Sequence, residues 1–145
     1  MNLNESARKK LPRILVCGPN PSGQKTLVFD EFRPCEVNRA QERDCRASGK
    51  GVNFARAVRT WGTAEPVVYQ FAGGANGHDL EEWLQQEGIR FASRKIEGET
   101  RCCTTALGRK HACMTELIEP SPAVTADDAG FLKQQILSAD RKSVV

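Results

Sequence analysis

Ser48-Gly49-Lys50-Gly51-Val52-Asn53-Phe54-Ala55-Arg56-Ala57-Val58-Arg59-Thr60-Trp61-Gly62 is the stretch that decides the fold. Two glycines bracket a lysine, and a helical pattern follows at once. Phe54, Ala55, Val58 and Trp61 recur at helical spacing as an apolar stripe. Arg56 and Arg59 fall on other faces, and Gly62 stands where a helix stops. Gly49 and Gly51 carry no Cβ, so a ligand can approach the backbone there. The free N–H groups of a first helical turn, its partial positive charge and the Lys50 ammonium favour an anion or a polyhydroxy ligand. Asn53 adds an amide that both donates and accepts. A turn that only makes room for packing fits the glycines equally well. Val52 after Gly-Lys-Gly rules out a Walker A loop, which needs Ser or Thr.

Strands and glycine-rich turns surround this helix. Arg13 to Gly18 is a short apolar run, as in a buried parallel strand, and Pro19-Asn20-Pro21-Ser22-Gly23 follows as a turn. Ligands bind beyond the carboxyl ends of strands in open α/β sheets, so Asn20 is a candidate site residue. Pro66 to Phe71 reads as a second core strand, Ala72 to Gly77 as another glycine-rich turn, and His78 to Gln86 as a helix with Leu80, Trp83 and Leu84 on its apolar face. Gly73 and Gly74 let a backbone crowd the ligand side of the sheet. The repeated strand–glycine turn–helix layout predicts βαβ architecture: an α/β fold whose parallel sheet is flanked by helices.

The remaining segments are half-exposed strands. Thr26 to Phe29 and Glu36 to Ala47 read as strands around a turn at Arg33-Pro34-Cys35. Ile89 to Ile96 and Thr100 to Leu107 follow, the first with Arg90, Arg94 and Lys95 exposed. Gly108-Arg109-Lys110 turns the chain back into His111 to Glu119, and Pro120-Ser121-Pro122 breaks that strand. Thr125 caps a last helix and Asp128 completes its capping box. This helix runs to Ser138 and buries Phe131, Leu132, Ile136 and Leu137, after which Lys142 to Val145 starts another strand.

Composition narrows the function. The chain has 145 residues, a net charge of +3, 39% hydrophobic and 27% charged residues. A small charge scattered among acids does not call for nucleic acid. No apolar run has membrane-spanning length, and Met1 to Arg13 has no signal-peptide core, so no membrane partner and a cytoplasmic location are expected. Six cysteines lack any Cys-x-x-Cys spacing, and no histidine is spaced for zinc. No metal site and reduced, mostly buried thiols are the expectation. His78 and His111 read as surface or helix-start residues.

Ser48 to Ala57 resembles the Gly-Gly-Lys-Gly-x-Asn-x-Ala-Arg motif of the ribokinase-like sugar kinases, the phosphofructokinase B family. Asn20-Pro21, Phe32 to Ala40, Phe71 to Gly77, Gly98-Glu99-Thr100-Arg101 and Thr115 to Pro120 are similar to its 1-phosphofructokinase and tagatose-6-phosphate kinase branch, in the order of that branch. The resemblance implies a ribokinase-like fold with a partial parallel sheet and a small β-sheet lid. It implies an ATP-dependent transfer of the γ-phosphate to a sugar hydroxyl, with ATP and Mg²⁺ as cofactors. A sugar phosphate would be the small-molecule partner, and a homodimer would form through the lid strands. Substrate-binding residues would be Asn20, Gln24, Gly49, Lys50, Asn53 and Arg101, with Arg39 reaching a substrate phosphate from the lid. Arginine suits Arg101's task because its planar fork pairs two phosphate oxygens.

The chain departs from the family pattern at three positions. Gln24 stands in place of an Asp that grips sugar hydroxyls, Ile118 in place of an Asn and Ser121 in place of a Gly. Family members are also about twice as long, and their Gly-Ala-Gly-Asp motif, with the catalytic base, is not found here. The expected organisation is therefore a flexible tail at residues 1–12 and, over 13–145, the sugar-binding and lid part of such a kinase. No catalytic or cofactor-binding residue is expected in this chain, because the ATP-binding half is absent. A non-catalytic sugar-phosphate-binding or dimerising lid protein is the alternative. The physical core of the reading is that Lys50, at a helix mouth, and Arg101, from a distant strand, share one anionic carbohydrate.

Overall fold

The computed structural model describes residues 11–141. Its elements are β1 (Arg13–Cys17), β2 (Ser22–Phe29), β3 (Glu42–Ser48), α1 (Lys50–Trp61), β4 (Glu65–Ala72), α2 (Gly74–Gln86), β5 (Arg90–Lys95), β6 (Cys102–Gly108), β7 (Cys113–Ile118) and α3 (Ala126–Arg141). They build two sheets. One is the parallel sheet β1-β4-β5, and the other has the order β3-β2-β6-β7. The βαβ reading of the core is therefore borne out, and the second sheet is the lid.

The parallel sheet is covered on both faces. Val16 and Val68 pack with Val52 and Ala55 of α1 and with Leu80 and Leu84 of α2. Tyr69 and Phe71 point the other way, onto Leu132 of α3. Leu80 and Leu84 are 0% exposed, and full burial of such a side chain is worth about 1.5–3 kcal/mol. The lid is rooted in the same core. Ala47, near the end of β3, is buried in the α1–α2 cluster, and a Cβ on Gly23 of β2 would lie 3.3 Å from the Trp83 ring of α2.

Topology puts one end of the lid beside the carboxyl edge of the core. β2 runs antiparallel to β3, with Ser22 opposite Ser48. It runs parallel to β6, with Gly23 opposite Cys102. The start of β2, the end of β3 and the start of β6 therefore meet at one end of the lid sheet. The chain enters β2 there directly from the end of β1.

Several sequence expectations need correction. Residues 36–41 are loop rather than strand, and β2 begins at Ser22, inside the expected turn. The glycine-rich turn before α2 is already its first turn, since the helix begins at Gly74. In α1 the buried stripe is Val52, Ala55 and Val58, while Phe54 and Trp61 are 49% and 70% exposed. The two stripes differ because α1 meets β1 and β4 along one narrow seam, and the larger rings point outside it. In α3, Leu132 is buried but Phe131 and Leu137 are exposed, because a single helix spans this face of the sheet. Arg94 is half-buried. It pairs with Asp128 at 2.8 Å, and its guanidinium lies 4.6 Å from the Phe131 ring centre.

The cysteines are not mostly buried. All six are free thiols, Cys103 alone is buried, and Cys17, Cys35 and Cys113 are exposed. The strands that carry most of them are half-exposed lid strands. The capping box at α3 is as expected: the Asp128 N–H donates to Thr125 Oγ1 at 3.1 Å, and the Thr125 hydroxyl donates to Asp128 Oδ2 at 2.6 Å. His78 and His111 are both exposed, beside Glu82 and Glu31 respectively. Of the expected tail, only Leu11 and Pro12 are described, and the Pro12 carbonyl accepts the Glu65 N–H at 2.8 Å. The strand expected at 142–145 lies outside the described residues.

Candidate substrate site at the root of the lid

The glycines of the opening stretch are used by the protein itself. Gly49 has φ +111°, and a Cβ there would lie 2.9 Å from Pro21 Cα. A Cβ on Gly51 would lie 2.6 Å from Gly18 Cα. Both positions therefore exclude a side chain because the β1–β2 turn presses against the start of α1. The packing explanation of these glycines holds, and it also seats the mouth of α1 against Asn20 and Pro21.

That mouth has no side-chain cap. The Asn53 N–H makes the first helical bond, to Gly49 O at 2.9 Å. The ends of the other two helices are satisfied by side chains. Glu99 accepts the Ala75 and Asn76 N–H groups of α2 at 3.1 and 3.0 Å, and Thr125 and Asp128 close α3. Among the described residues α1 alone presents its first-turn N–H groups without a side-chain acceptor. Lys50, exposed, stands at that opening. Uncapped N–H groups plus an ammonium form an anion-attracting surface.

Six of the seven expected site residues gather at this end of the lid. Gly49 and Lys50 directly follow Ser48, the partner of Ser22. Arg101 directly precedes Cys102, the partner of Gly23, and its carbonyl accepts the Gly23 N–H at 3.0 Å. Lys50 and Arg101 thus flank the start of β2 from its two sides, one from β3 and one from β6. Arg101 is half-buried, and its Nε is buried without a partner. An unpaired buried donor is costly and is the kind of group an incoming oxygen satisfies. Arg39 stands apart, exposed in the loop between β2 and β3 beyond the other end of the sheet.

The three amide side chains of the group, Asn20, Gln24 and Asn53, are each held by a neighbour. The Asn20 amide donates to Ser121 Oγ at 3.0 Å and accepts from it at 3.2 Å. Ser121 thus occupies Asn20 where the family has a glycine. Gln24 Nε2 donates to Thr105 Oγ1 at 2.8 Å. Its Oε1 is the end left to accept a hydroxyl. The Asn53 Oδ1 accepts from Arg56 Nη1 at 2.8 Å, so its NH₂ is left as a donor. Arg56 is itself gripped by both oxygens of Glu87 at 2.7 and 2.8 Å and donates to Ala47 O at 3.0 Å. Glu87 holds the Arg56 pKa above its ordinary value.

Sequence reading marked Ser121 only as a departure from the family pattern and gave no site role to Thr105, Arg56 or Glu87. Their partners lie between 3 and 101 positions away, and only Arg56 lies within a helical turn of the residue it holds. Beside the group, Pro19, Asn20, Pro21, Phe71, Ile96, Thr100, Ser121, Pro122 and Val124 enclose a mostly apolar cavity of about 200 Å³. It is lined by neither Lys50 nor Arg101. Of the six gathered residues, Asn20 alone lines it.

A parallel α/β core with a β-sheet lid and an anion-attracting surface at their junction defines a class of small-molecule-binding fold. Comparison with known proteins then names the family. Residues 24–137 match the model of the pfkB family carbohydrate kinases, and the chain belongs to that family. Tagatose-6-phosphate kinase from Staphylococcus epidermidis is 31% identical over 132 residues, covering 91% of this chain and 42% of that protein. The chain thus spans well under half the length of such relatives.

Among solved structures, phosphofructokinase-2 from Escherichia coli in complex with fructose-6-phosphate superposes with a TM-score of 0.82 at 23% identity. It covers 88% of this chain and 42% of that one. A possible 1-phosphofructokinase from Thermotoga maritima gives a TM-score of 0.77 at 25% identity, with 85% and 40% covered. The ribokinase-like fold expected from the motifs is the fold observed.

Proposed function

We propose that this chain is the sugar-binding and lid part, residues 13–145, of an ATP-dependent hexose-phosphate kinase. The observation that carries the reading is the uncapped mouth of α1 with Lys50 beside it, across the start of β2 from the unpaired Nε of Arg101. Lys50, the α1 amides and Arg101 hold the phosphate of the sugar. Gln24 Oε1 and the Asn53 NH₂ address its hydroxyls as acceptor and donor. Asn20 and the Gly49 backbone shape the floor. Arg39, remote from this group, contacts a substrate phosphate only if the lid loop approaches the site.

ATP and Mg²⁺ supply the transferred phosphoryl group and its charge neutralisation. Among the described residues no three of His, Cys, Asp and Glu converge to hold a metal ion. This part binds and orients the acceptor, and the catalytic base belongs to the part of the family's length that the chain does not span. The chain alone is inactive. No helix in the described residues is long and apolar enough to cross a membrane, and a cytoplasmic location is part of the proposal.

The lid offers a surface for a second copy. β7 is an edge strand exposed along its whole length, with Met114, Leu117 and Ile118 65%, 60% and 59% exposed. An apolar edge strand is a template for strand pairing, so a homodimer through the lids is part of the proposal. The same strand, with Gln24 in place of an acid, favours the alternative of a non-catalytic binding or dimerising protein.

A fusion decides between the two. The chain joined to the C-terminal part of the S. epidermidis relative is expected to phosphorylate a hexose phosphate with MgATP. A fusion that folds and binds ATP yet transfers no phosphate to tagatose 6-phosphate or the fructose phosphates overturns the kinase reading and leaves the binding one.

A further inference from the structure

The residues just before Arg101 are locked to the start of α2 by a set of hydrogen bonds. Thr100, 3% exposed, exchanges two bonds with Gly73: its N–H donates to Gly73 O at 2.9 Å, and its Oγ1 accepts the Gly73 N–H at 3.0 Å. Asn76 Nδ2 donates to Thr100 O at 2.9 Å. Glu99 places one carboxylate oxygen on the Ala75 N–H and the other on the Asn76 N–H. The Gly73-Gly74 pair is shaped for this joint. A Cβ on Gly74, where φ is +63°, would sit 2.1 Å from the Glu99 carboxyl carbon, and one on Gly73 would sit 2.2 Å from Gly98 O. The glycines that sequence reading gave to a ligand are taken by the chain's own 96–99 segment. A carboxylate of the protein fills the positive mouth of α2.

This has a consequence for Arg101. On its far side, Arg101 is tied by its carbonyl to Gly23. On its near side, among the described residues, it is anchored through Glu99 and Thr100. Fixing the backbone on both sides of Arg101 narrows the directions its guanidinium can take. We propose that Glu99 is a positioning residue for Arg101. By capping α2 it clamps residues 98–100, and so it aims the Arg101 fork at the phosphate. The proposal rests on the reading of Arg101 as a phosphate ligand, and it adds that the sugar phosphate is discriminated from the free sugar through Glu99, which does not touch it.

The test uses the 145-residue chain and two readouts. The first is the NMR signal of the Arg101 Nε–H together with amide exchange over residues 98–102, without ligand. In Glu99→Ala both are expected to change, with faster exchange at Thr100, whereas Glu99→Gln, which keeps an acceptor for only one of the two amides, is expected to show a smaller change of the same sign. The second is affinity for D-tagatose 6-phosphate and for D-tagatose. Glu99→Ala is expected to weaken the phosphorylated sugar by about tenfold and the free sugar little. A purely structural cap would weaken both alike and overturn the proposal. So would an Arg101 signal and an exchange pattern unchanged in Glu99→Ala. If Arg101→Ala binds tagatose 6-phosphate as wild type does, the phosphate reading of Arg101 fails instead, whatever the exchange data show. Should Glu99→Ala not fold, Glu99→Asp gives the same contrast, because its shorter chain does not reach both amides.

Discussion

Gly51→Ala sets two effects of known size against each other. Gly51 is the second residue of α1, and alanine is the better helix former by about 1 kcal/mol in a helix interior. Propensity alone therefore predicts a more stable protein. Packing predicts the reverse. The new Cβ would lie 2.6 Å from Gly18 Cα and 3.4 Å from Gly18 N. Backbone cannot rotate away as a side chain can, so α1 or the β1–β2 turn must move. Overpacking of this kind costs about 1–3 kcal/mol. The propensity gain is reduced in a first turn, so the net expectation is a loss of about 1–2 kcal/mol. For a chain of this size that lowers the melting midpoint by about 3 °C per kcal/mol. Gly130→Ala is the control. It lies in α3, and a Cβ there meets nothing within 4 Å, so it should stabilise by about 0.5–1 kcal/mol. Urea unfolding of the three proteins checks both signs. A Gly51→Ala protein at least as stable as wild type would refute the claim that the mouth of α1 is set by backbone contact with the β1–β2 turn.

Other perturbations follow from single contacts. Thr125→Ala removes the capping box of α3 and should cost about 1 kcal/mol in the same unfolding experiment. The Glu31 carboxyl, hydrogen-bonded first by Arg33 and then by Lys110, is held at about 2 rather than 4.5. A depressed carboxylate adds stability that is complete above pH 4.5 and lost as pH falls through about 2, so Glu31→Gln should flatten the acid limb of the stability curve in that window. Arg56 and Glu87 form a half-buried bidentate pair. A double-mutant cycle with Arg56→Met and Glu87→Gln should show coupling of about 1 kcal/mol, whereas additive losses would mean the pair is a bystander.

The architecture was legible in the sequence to the extent that it is written in short-range patterns. Glycine turns between an apolar run and a helical stripe gave the βαβ units, and Thr125 with Asp128 gave a cap, because each of these needs only neighbours a few positions apart. The family motifs gave the rest of the fold. The sequence could not show how the glycines are used. Gly51 answers to Gly18 and Gly74 to Glu99, across 33 and 25 positions, and nothing local distinguishes these contacts from an approach to a ligand. Phe54 and Trp61 misled for a similar reason. Helical periodicity says which residues share a face, but the seam that α1 buries is chosen by the sheet beneath it. Of the site residues, those beside a glycine turn or a motif were visible, and Ser121 stood out as a departure, while Thr105, which holds Gln24, and Glu87, which holds Arg56, come from other elements.

The claim that matters most is that the root of the lid binds a phosphorylated sugar by its charge. Calorimetric titration of this chain with D-tagatose 6-phosphate and with D-tagatose addresses it directly. Tighter binding of the phosphorylated sugar by at least about tenfold is expected, since a charge-assisted arginine–phosphate contact is worth more than the roughly 1.4 kcal/mol that factor represents. Equal affinity for the two sugars, or no binding of the phosphorylated one, would contradict it.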